Sequence, residues 1–303
     1  MVRALVVGSL VQDLAFQIPQ RPGPGEVIIA DEFGTFRGGK GYNQAVALAR
    51  LGAEVTMVGA VGHDPYGDGF LAALEREGID AGRVVQLRGV STAVAVPLIT
   101  PDGEVGFVQH PGANRQLPPA HCADLPDCDV LLLQGEVTPA ASERAGGAIR
   151  RRGGIVVCNP APIHDVTPAL LATASVICPN EVEAAALLAD GPAQPDRSDG
   201  AAMARALGTE ERSCVVTLGA AGAAWCDGTD CGSGRPPQVR AVDTTGAGDS
   251  FCAALAVALA EGAGYAEAVG FACAAGAHAA TIRGAEPGLP TRAQVEALLN
   301  HAA

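Results

Sequence analysis

Residues 242–251, VDTTGAGDSF, place two glycines and an aspartate directly before an alanine-rich run. Gly246 and Gly248 lack a Cβ where the chain enters the predicted helix, so backbone N–H groups can converge there on an anion. Asp249 follows at the helix start, where a carboxylate can deprotonate a hydroxyl while those amides neutralise a transferring phosphoryl group. The same carboxylate could instead be an ordinary N-cap of the helix. These residues alone leave both roles open.

A second glycine-rich segment, RGGKGYNQ at residues 37–44, precedes another predicted helix. Its paired glycines let a ligand lie against bare backbone, and Asn43 offers a donor and an acceptor to sugar hydroxyls. The order GxxxxGK[ST] is absent, as is GxGxxG after the first predicted strand, which argues against a P-loop NTPase and a Rossmann dehydrogenase. Lys40 carries little weight alone, because a lysine near a helix start is usually solvated.

Charge and composition narrow the class of protein further. The formal net charge of −13 repels phosphate backbones and anionic lipid, so neither nucleic acid nor a membrane surface is an expected partner. A 48% hydrophobic chain with only 17% charged residues is typical of a compact globular protein. At 303 residues it has room for one large domain or two.

Cysteine usage and the N-terminus indicate a cytoplasmic protein. Nine cysteines without a CxxC pair predict neither a zinc ribbon nor a disulfide framework, and they favour a reducing compartment. The N-terminal run MVRALVVGSLVQD is short and interrupted by Gly8 and Ser9, so it predicts a strand and not a signal peptide. The apolar stretch 251–260 ends far short of the roughly 18 residues that a membrane-spanning helix needs.

Short β-rich runs alternate with alanine-rich helical runs along most of the chain, which predicts an α/β fold with a central, mostly parallel sheet flanked by helices. Buried strands are predicted at residues 4–8, 55–60, 130–134, 155–159, 175–178 and 214–218. Helices are predicted at residues 41–51, 67–77, 181–188, 250–260 and 266–279.

Two segments, residues 14–36 and 93–110, break this alternation and predict antiparallel strands. In the second segment, Pro101, Asp102 and Gly103 supply the residue types of a hairpin turn. We expect a small β-sheet lid beside the main sheet; two irregular surface insertions are the alternative. Residues 191–200 are predicted to form a surface loop.

The two glycine-rich blocks, in this order and more than two hundred residues apart, resemble the ribokinase family of PfkB carbohydrate kinases. Further matching segments are Gly8-Ser9 to Asp13, Val61 to Asp64 with Gly67, Gln134 to Glu136, Asn159 to Pro162, Pro179 to Glu183, and Thr217 to Gly219 with Gly222. The resemblance covers nearly the whole chain and implies a single domain over residues 1–303, with a sugar-covering lid that often forms a dimer contact.

The resemblance implies ATP-dependent phosphorylation of the primary hydroxyl of a sugar, with D-ribose converted to ribose 5-phosphate as the favoured reaction. Asp249 resembles the catalytic base, and Gly246, Ala247 and Gly248 resemble the anion hole. The residues implied to hold sugar hydroxyls are Asp13, Gly39, Asn43 and Glu136. Asp13 and Glu136 each follow a predicted strand, where α/β sheets place ligands, although an ordinary surface or capping carboxylate is the alternative.

The resemblance also implies a nucleotide site with Mg²⁺ and a neighbouring monovalent cation, K⁺. The ATP residues are Asn180, Thr217, Gly219, Gly222 and Cys273, the last beside the adenine and without a redox role. Asn180 and Glu183 would act on Mg²⁺ through water, since Mg²⁺ keeps much of its hydration; an N-capped helix with a first-turn glutamate is the alternative. The K⁺ ligands would be Asp243 and the carbonyls of Thr245, Ala279, Ile282, Gly284 and Gly288.

Three residues depart from the family pattern. Gly288 stands where serine is common, which removes one hydroxyl beside the cation, and Val11 replaces a sugar-binding asparagine. Tyr42 replaces a small residue, and its ring could either stack on the base of a nucleoside or pack under the lid. A nucleoside kinase or a kinase for another sugar is therefore the alternative substrate class.

Two further alternatives concern activity and assembly. A catalytically silent sugar-binding protein on this fold is a different class, against which the intact Asp249, Gly246 and Gly248 argue. Exposed lid edges favour a homodimer, with a monomer protected by charged edge residues as the alternative.

Overall fold

The computed structural model describes residues 1–102, 104–189, 195–196 and 199–302. The strands are β1 (Arg3–Val7), β2 (Val11–Gln17), β3 (Glu32–Gly38), β4 (Glu54–Gly62), β5 (Asp80–Leu87), β6 (Ala93–Ile99), β7 (Val105–His110), β8 (Val130–Gln134), β9 (Ile155–Asn159), β10 (Val176–Ile177), β11 (Ser213–Thr217), β12 (Ala223–Cys226) and β13 (Cys231–Gly234). The helices are α1 (Lys40–Arg50), α2 (Pro65–Arg76), α3 (Pro139–Arg151), α4 (Pro168–Thr173), α5 (Glu181–Leu188), α6 (Gly200–Leu207), α7 (Ala247–Ala260), α8 (Tyr265–Ala279), α9 (Ala285–Gly288) and α10 (Arg292–Ala302).

The large sheet has the strand order β13-β12-β11-β10-β9-β8-β1-β4-β5 within the described residues. Its strands from β11 to β5 are paired in parallel, while β12 and β13 add an antiparallel edge. The predicted mostly parallel α/β sheet is confirmed. Because parallel strands share a direction, the loops after β1, β8, β9 and β11 emerge at one edge of this sheet.

Helices cover both faces of the large sheet, which explains the unbroken apolar runs of its strands. In β1, Ala4 and Val6 face the core that contains α1, α7 and α8, whereas Leu5 and Val7 face the core on the opposite side. All four side chains are almost fully buried. A strand buried on both faces has no polar side, so its sequence lacks the alternation of polar and apolar residues seen in half-exposed strands.

The small sheet has the order β3-β2-β6-β7. Both predicted antiparallel pairs are present, β2 with β3 and β6 with β7, so the alternative of irregular insertions is wrong. The two pairs are joined by a parallel pairing of β2 with β6, which the sequence did not indicate. Strand β2 begins at Val11 and not at residue 14, directly after the end of β1. Gly103 of the predicted hairpin turn lies outside the described residues.

Side chains pin both short connections from the large sheet to the small one. In the β1–β2 connection, Asn114 accepts a hydrogen bond from Leu10 N (3.1 Å) and donates one to Leu10 O (3.0 Å). In the β5–β6 connection, Asp64 accepts from the amide and the hydroxyl of Thr92, both at 2.7 Å. Asn114 and Thr92 are buried, so these bonds fix where the small sheet begins.

Several predicted elements shift at their ends. Helix α7 begins at Ala247, three residues before the predicted start, which places Asp249 inside the helix. Helices α3, α6 and α10 were not predicted. Of the predicted surface loop at 191–200, residues 191–194 and 197–198 lie outside the described residues, and Gly200 begins α6.

The cysteines differ from the expectation at one place. Cys226 and Cys231, which are paired across β12 and β13, form a disulfide. Seven other cysteines are free thiols. Among the residues with described structure, no helix is long and apolar enough to span a membrane.

Candidate active site

The candidate site lies at the carboxyl edge of the large sheet, where the N-termini of α1 and α7 meet. Gly8 and Ser9 follow β1, Gly135 and Glu136 follow β8, and Asn159 ends β9. Gly8 must lack a side chain, because a Cβ there would lie 2.2 Å from Oε1 of Gln134 and 2.7 Å from the Cα of Gly41. This close approach brings the start of α1 against the end of β1.

Asp249 lies in the first turn of α7 and is nearly buried, with 7% of its surface exposed. Its two oxygens accept hydrogen bonds from the side-chain amides of Asn43 (2.9 Å, to Oδ2) and Gln44 (3.1 Å, to Oδ1). The N-cap of α7 is Gly246, and no side chain caps the helix. The alternative role of Asp249 as an N-cap is therefore wrong. Its carboxylate faces α1.

Gln44 is a site residue that the sequence did not reveal. Its side chain is fully buried, and its Oε1 accepts a hydrogen bond from Nε2 of Gln134 at 2.7 Å. An ionised carboxylate only accepts hydrogen bonds, so Nε2 of Gln44 faces Asp249 and its Oε1 is left to accept from Gln134. Gln44 thereby links strand β8 to the carboxylate on α7.

Asn43 donates a hydrogen bond to Asp249, a contact that its predicted role as a sugar ligand did not include. Its Nδ2 is engaged by Asp249, whereas its buried Oδ1 has no hydrogen-bond partner. A buried amide oxygen without a donor is costly, about 1–3 kcal/mol, unless a ligand or water supplies one. Oδ1 is the atom of Asn43 that can accept a hydrogen bond from a substrate hydroxyl.

The anion-hole segment is shaped by two different glycines. Gly246 adopts a positive φ of 81°, which lets the chain turn into α7. At Gly248, a Cβ would meet open space, so the helix start is accessible at this residue. Ala247 N donates to Thr244 O at 3.1 Å, and helix geometry leaves the next amides without an intrahelical partner. The uncapped start of α7 can therefore bind an anion.

Glu136 joins the ends of β1 and β8 to α1. Its Oε2 accepts hydrogen bonds from Ser9 Oγ and from Lys40 N, the latter at 2.8 Å. Gly39, at φ 90°, lies so close to Ser9 that a Cβ would be 3.0 Å from Oγ. Glu136 is thus a structural acceptor as well as a predicted sugar ligand.

Asp13 lies on β2, near enough to Glu136 for their negative charges to interact. A Cβ at Gly38 would lie 2.5 Å from Oδ2 of Asp13, so this glycine makes room for the carboxylate. Among the described residues, no group donates a hydrogen bond to it. Burial, together with the negative charge of Glu136, raises the pKa of Asp13 to about 7. A half-buried carboxylate without a protein donor is available to substrate hydroxyls.

Lys40 is partly exposed and interacts with several acidic groups of the site. Burial acts to lower its pKa, but the negative charges of Asp249, Glu136 and Glu183 outweigh that effect and raise the pKa of Lys40. The ammonium group therefore stays charged between three carboxylates that come from α7, β8 and α5. It balances part of the negative charge of the site.

Asn180 and Glu183 form a capping box at the start of α5. Asn180 Oδ1 accepts from the amides of Val182 and Glu183 at 2.9 and 2.8 Å, and Glu183 Oε2 accepts from Asn180 N at 2.9 Å. The alternative of an N-capped helix is present in the structure. Burial raises the pKa of Glu183, while the Asn180 amide and Lys40 act in the opposite direction.

The capping box leaves Oε1 of Glu183 available to accept a hydrogen bond from a metal-bound water. Within the described part of the chain there is no cluster of three or more His, Cys, Asp or Glu side chains that could hold a metal directly. A largely hydrated Mg²⁺, bound through water and substrate phosphates, fits this donor set.

The residues predicted for the nucleotide lie along the loops after β10 and β11. Thr217 N donates to Pro179 O at 2.9 Å, which joins the loop before α5 to β11. Gly222 packs so tightly that a Cβ would be 2.0 Å from the carbonyl oxygen of Gly234, and Cys273 Sγ contacts that same oxygen at 3.7 Å. Gly219 adopts a positive φ of 55° with open space beside it. Burial raises the pKa of the Cys273 thiol to about 11, which suits a packing role.

Asp243 braces two loops beside the anion hole. Its Oδ1 accepts from the amide (2.9 Å) and hydroxyl (2.7 Å) of Thr245, and its Oδ2 accepts from Gly284 N at 2.8 Å. Burial acts to raise its pKa, but these hydrogen bonds and the charge of Arg283 keep the pKa lowered. An ionised carboxylate beside several main-chain carbonyls is a suitable oxygen set for a monovalent cation.

The predicted carbonyl ligands form a compact turn system. Ala279 O accepts from Ile282 N at 3.3 Å, and Gly284 O accepts from Gly288 N at 3.2 Å. A Cβ at Gly288 would lie 2.8 Å from Ala279 O, so a serine would not fit there without a backbone shift. The glycine thus matches the local backbone of this chain.

The two departures near the sugar face are both packing residues. Val11 is 2% exposed and packs with Ala93 and Ala95 in the small sheet. Tyr42 is fully buried, and its ring contacts Phe70 edge-on at a centroid distance of 5.1 Å. Of the two predicted roles of Tyr42, packing is confirmed and stacking on a nucleoside base is wrong.

This arrangement, with a buried carboxylate beside an uncapped helix start and two further carboxylates at the same edge of the sheet, fits a phosphotransferase site for a hydroxyl acceptor. Residues 1–292 match the pfkB family carbohydrate kinase domain, and the chain belongs to that family. Ribokinase of Bacillus subtilis is 33% identical over 97% of this chain and 98% of its own length.

Two solved structures share the fold over almost the whole chain. Ribokinase of Thermotoga maritima superposes with a TM-score of 0.88 at 31% identity, covering 99% of this chain and 100% of that one. Arabidopsis thaliana ribokinase, complexed with ribose and ATP, has a TM-score of 0.87 at 30% identity, with 98% of each chain covered. The predicted family and fold class are confirmed.

Gln44→Leu tests whether the amide relay orients Asp249. The variant loses the hydrogen bond to Oδ1 of Asp249 and leaves Nε2 of Gln134 without its acceptor. We expect kcat to fall about tenfold, because the carboxylate is misplaced, while the KM for the sugar changes by less than about twofold. The matched control is Gln134→Leu, which keeps the contact between Gln44 and Asp249 and should lower kcat less. Equal kcat values for Gln44→Leu and the parent protein would show that Asp249 does not need this bond.

The raised pKa of Asp13 predicts a pH-dependent affinity for the sugar. Below pH 7 the carboxyl is mostly protonated, and above pH 7 it is ionised and can accept hydrogen bonds from two hydroxyls. We expect the KM for the sugar to be about tenfold higher at pH 6 than at pH 8, since one pH unit below a pKa leaves about one tenth of the group ionised. Asp13→Asn should have a high KM that no longer changes over this range. A parent KM that is flat between pH 6 and pH 8 would contradict the prediction.

Proposed function

We propose that this protein transfers the γ-phosphoryl group of ATP to the primary hydroxyl of D-ribose, giving ribose 5-phosphate. One observation carries the proposal: Asp249 is held by two amides beside the uncapped start of α7, opposite a set of groups suited to a polyol. The ribokinases of Bacillus subtilis and Thermotoga maritima support ribose as the sugar, since they match over nearly the full chain.

Each side chain has a defined part in this mechanism. Asp249 takes the proton of the primary hydroxyl as that oxygen attacks phosphorus in line. Both carboxylate oxygens already accept one amide each, which holds the plane of the group while leaving lone pairs for the substrate. Asn43 Oδ1, Asp13, Glu136 and the backbone at Gly39 bind the remaining hydroxyls.

The charge that develops on the transferred group is stabilised by the start of α7. The amides of Gly248 and Asp249 have no intrahelical partner at this terminus, and with the segment Gly246 to Gly248 they form the anion hole. Lys40, which stays cationic, adds a positive charge next to Asp249. Mg²⁺, bound with the nucleotide phosphates and reached by Glu183 and Asn180 through water, supplies charge neutralisation.

The nucleotide lies along the loops after β10 and β11 in this proposal. Thr217 and Gly219 border it, Gly222 shapes the loop behind them through its close packing on Gly234, and Cys273 backs the adenine by packing. Asp243 and the carbonyls of Thr245, Ala279, Ile282, Gly284 and Gly288 would hold a K⁺ ion, whose charge would help to order the anion-hole loop.

We also propose a cytoplasmic protein with one domain, in which the small sheet is the lid. Its two edge strands, β3 and β7, carry apolar side chains that are strongly exposed: Phe33 at 59%, Phe107 at 67% and Val108 at 65%. Exposed edges with apolar side chains favour pairing with a second copy of the chain. The proposed assembly is a homodimer formed through the lids.

Asp249→Asn tests the assignment of the base. The variant keeps the size of the side chain and removes its basicity, so kcat for ATP-dependent phosphorylation of ribose should fall by roughly 100-fold or more. The fold should persist, because Asn43 can turn its amide and offer the partnerless Oδ1 to the new NH₂ group. The measurement is kcat by ADP release, with the thermal midpoint as the control for folding. Turnover within a few-fold of the parent would show that another group removes the proton.

Exchange of the monovalent cation tests the role of Asp243. At equal ionic strength, potassium should support a higher kcat than sodium, because the larger ion suits a ring of main-chain carbonyls. Asp243→Asn should lose this preference, since it weakens the bracing of Thr245 and Gly284. Equal rates of the parent protein in the two salts would remove the proposed cation from the mechanism.

A further inference from the structure

Tyr42, the residue that departs from the family pattern, belongs to a polar cluster behind the active site. Its ring is buried, but its hydroxyl accepts a hydrogen bond from Arg37 Nε at 3.2 Å. Burial raises the pKa of Tyr42 to about 12, with the negative charge of Glu286 acting in the same direction. The phenol therefore stays neutral and acts as an acceptor that helps to orient the guanidinium group.

Arg37 and Glu286 form a two-point ion pair across this cluster. Nε of Arg37 lies 3.1 Å from Oε2 of Glu286, and Nη2 lies 3.2 Å from Oε1. The side chains are 32% and 20% exposed, so the pair is less screened than a surface pair. A bidentate contact of this kind fixes the relative orientation of the two segments as well as their distance.

The two partners belong to segments that serve different halves of the site. Arg37 is the penultimate residue of β3, directly before Gly38, which lies against Asp13, and Gly39, which lies against Ser9. Glu286 lies in α9, within residues 284–288. The ion pair therefore joins an edge strand of the small sheet to the turn that follows α8.

Residues 284–288 in turn support the anion-hole loop. Gly284 N donates to Oδ2 of Asp243 at 2.8 Å. Gly246, the N-cap of α7, packs against Ala285 so closely that a Cβ on it would lie 3.1 Å from the Cα of Ala285. A shift of this turn would alter the position of both residues that shape the start of α7.

Arg50 holds the same turn from α1. Its Nη1 donates to the carbonyl oxygens of Glu286 (2.7 Å) and Leu289 (3.0 Å), and Glu77 binds the rest of its guanidinium group. The main chain of the turn is thus tied to the large sheet and its helices. What Arg37 adds is a tie to the small sheet.

We propose that Arg37 and Glu286 are a positioning pair that couples the sugar half of the site to the nucleotide half. Ordering of β3 by a bound sugar fixes Arg37, Arg37 fixes the 284–288 turn through Glu286, and the turn fixes the loop at residues 243–248. Whichever ligand binds first orders the shared segment, so the second ligand binds a protein that is already ordered there. This gives positive cooperativity. The functional part of this inference rests on the proposed kinase activity; the structural part does not.

The structural part is tested by hydrogen exchange of the protein without ligands. Arg37→Gln and Glu286→Gln should each raise exchange in peptides covering residues 32–39, 284–289 and 241–249, and the charge-reversed double variant Arg37→Glu/Glu286→Arg should restore part of the protection. The matched control is Glu261→Gln, which breaks the Arg292–Glu261 pair at the far end of α7. This control should leave residues 241–249 unchanged. Exchange that rises at residues 32–39 and 284–289 alone would overturn the proposal, because the pair would then be a local brace.

The coupling itself is measured by calorimetric titration with ribose, in the absence and in the presence of saturating MgADP. For the parent protein we expect ribose to bind at least about threefold more tightly when MgADP is present, and for both single variants we expect this ratio to approach one. A ratio near one in the parent, or an unchanged ratio in the variants, would overturn the coupling. Failure of the parent to bind ribose at all would instead contradict the proposed function, while the exchange experiment would still decide the role of the pair.

Discussion

The contact between α1 and the carboxylate of Asp249 is the constraint on which the rest of the site depends. A carboxylate that is 7% exposed must be compensated by donors, and here two side-chain amides from successive residues supply them. For Asn43 and Gln44 to reach α7, the start of α1 must lie against the end of β1. The glycines at positions 8, 39 and 41 allow this approach. They therefore help to position Asp249 as well as to make room for a ligand.

A second constraint is electrostatic. Asp13, Glu136, Glu183 and Asp249 bring four acidic groups to one edge of the sheet, and Lys40 is the cation that interacts with the last three of them. These acids differ in their hydrogen-bond donors. Glu136 and Glu183 accept hydrogen bonds from protein amides, whereas Asp13 has no protein donor among the described residues and lies partly buried beside another negative charge. The group without donors is the one whose pKa rises into the neutral range. One cluster thus contains a carboxyl group, Asp13, whose charge changes near neutral pH.

Local patterns were sufficient to predict much of this structure. The buried runs at residues 130–134 and 155–159 matched β8 and β9 residue for residue, because a strand covered on both faces has an unmistakable composition. The DTTGAGDS and GGKGYN blocks located the site. Contacts between distant segments were not predictable. The parallel pairing of β2 with β6, the bond from Gln134 to Gln44 and the contact of Tyr42 with Phe70 all join residues that only the fold brings together. The acidic neighbours of Lys40 were not predictable for the same reason, since they come from three other elements.

The two short connections of the small sheet bear on how the proposed lid is held. Asn114 holds the backbone at Leu10, and Asp64 holds Thr92, so the first residues of the central strands β2 and β6 are fixed to the large sheet. The Arg37–Glu286 pair adds a third tie, at the end of β3. A proposed lid held in this way is largely formed before the substrate arrives, which lowers the entropy lost on binding.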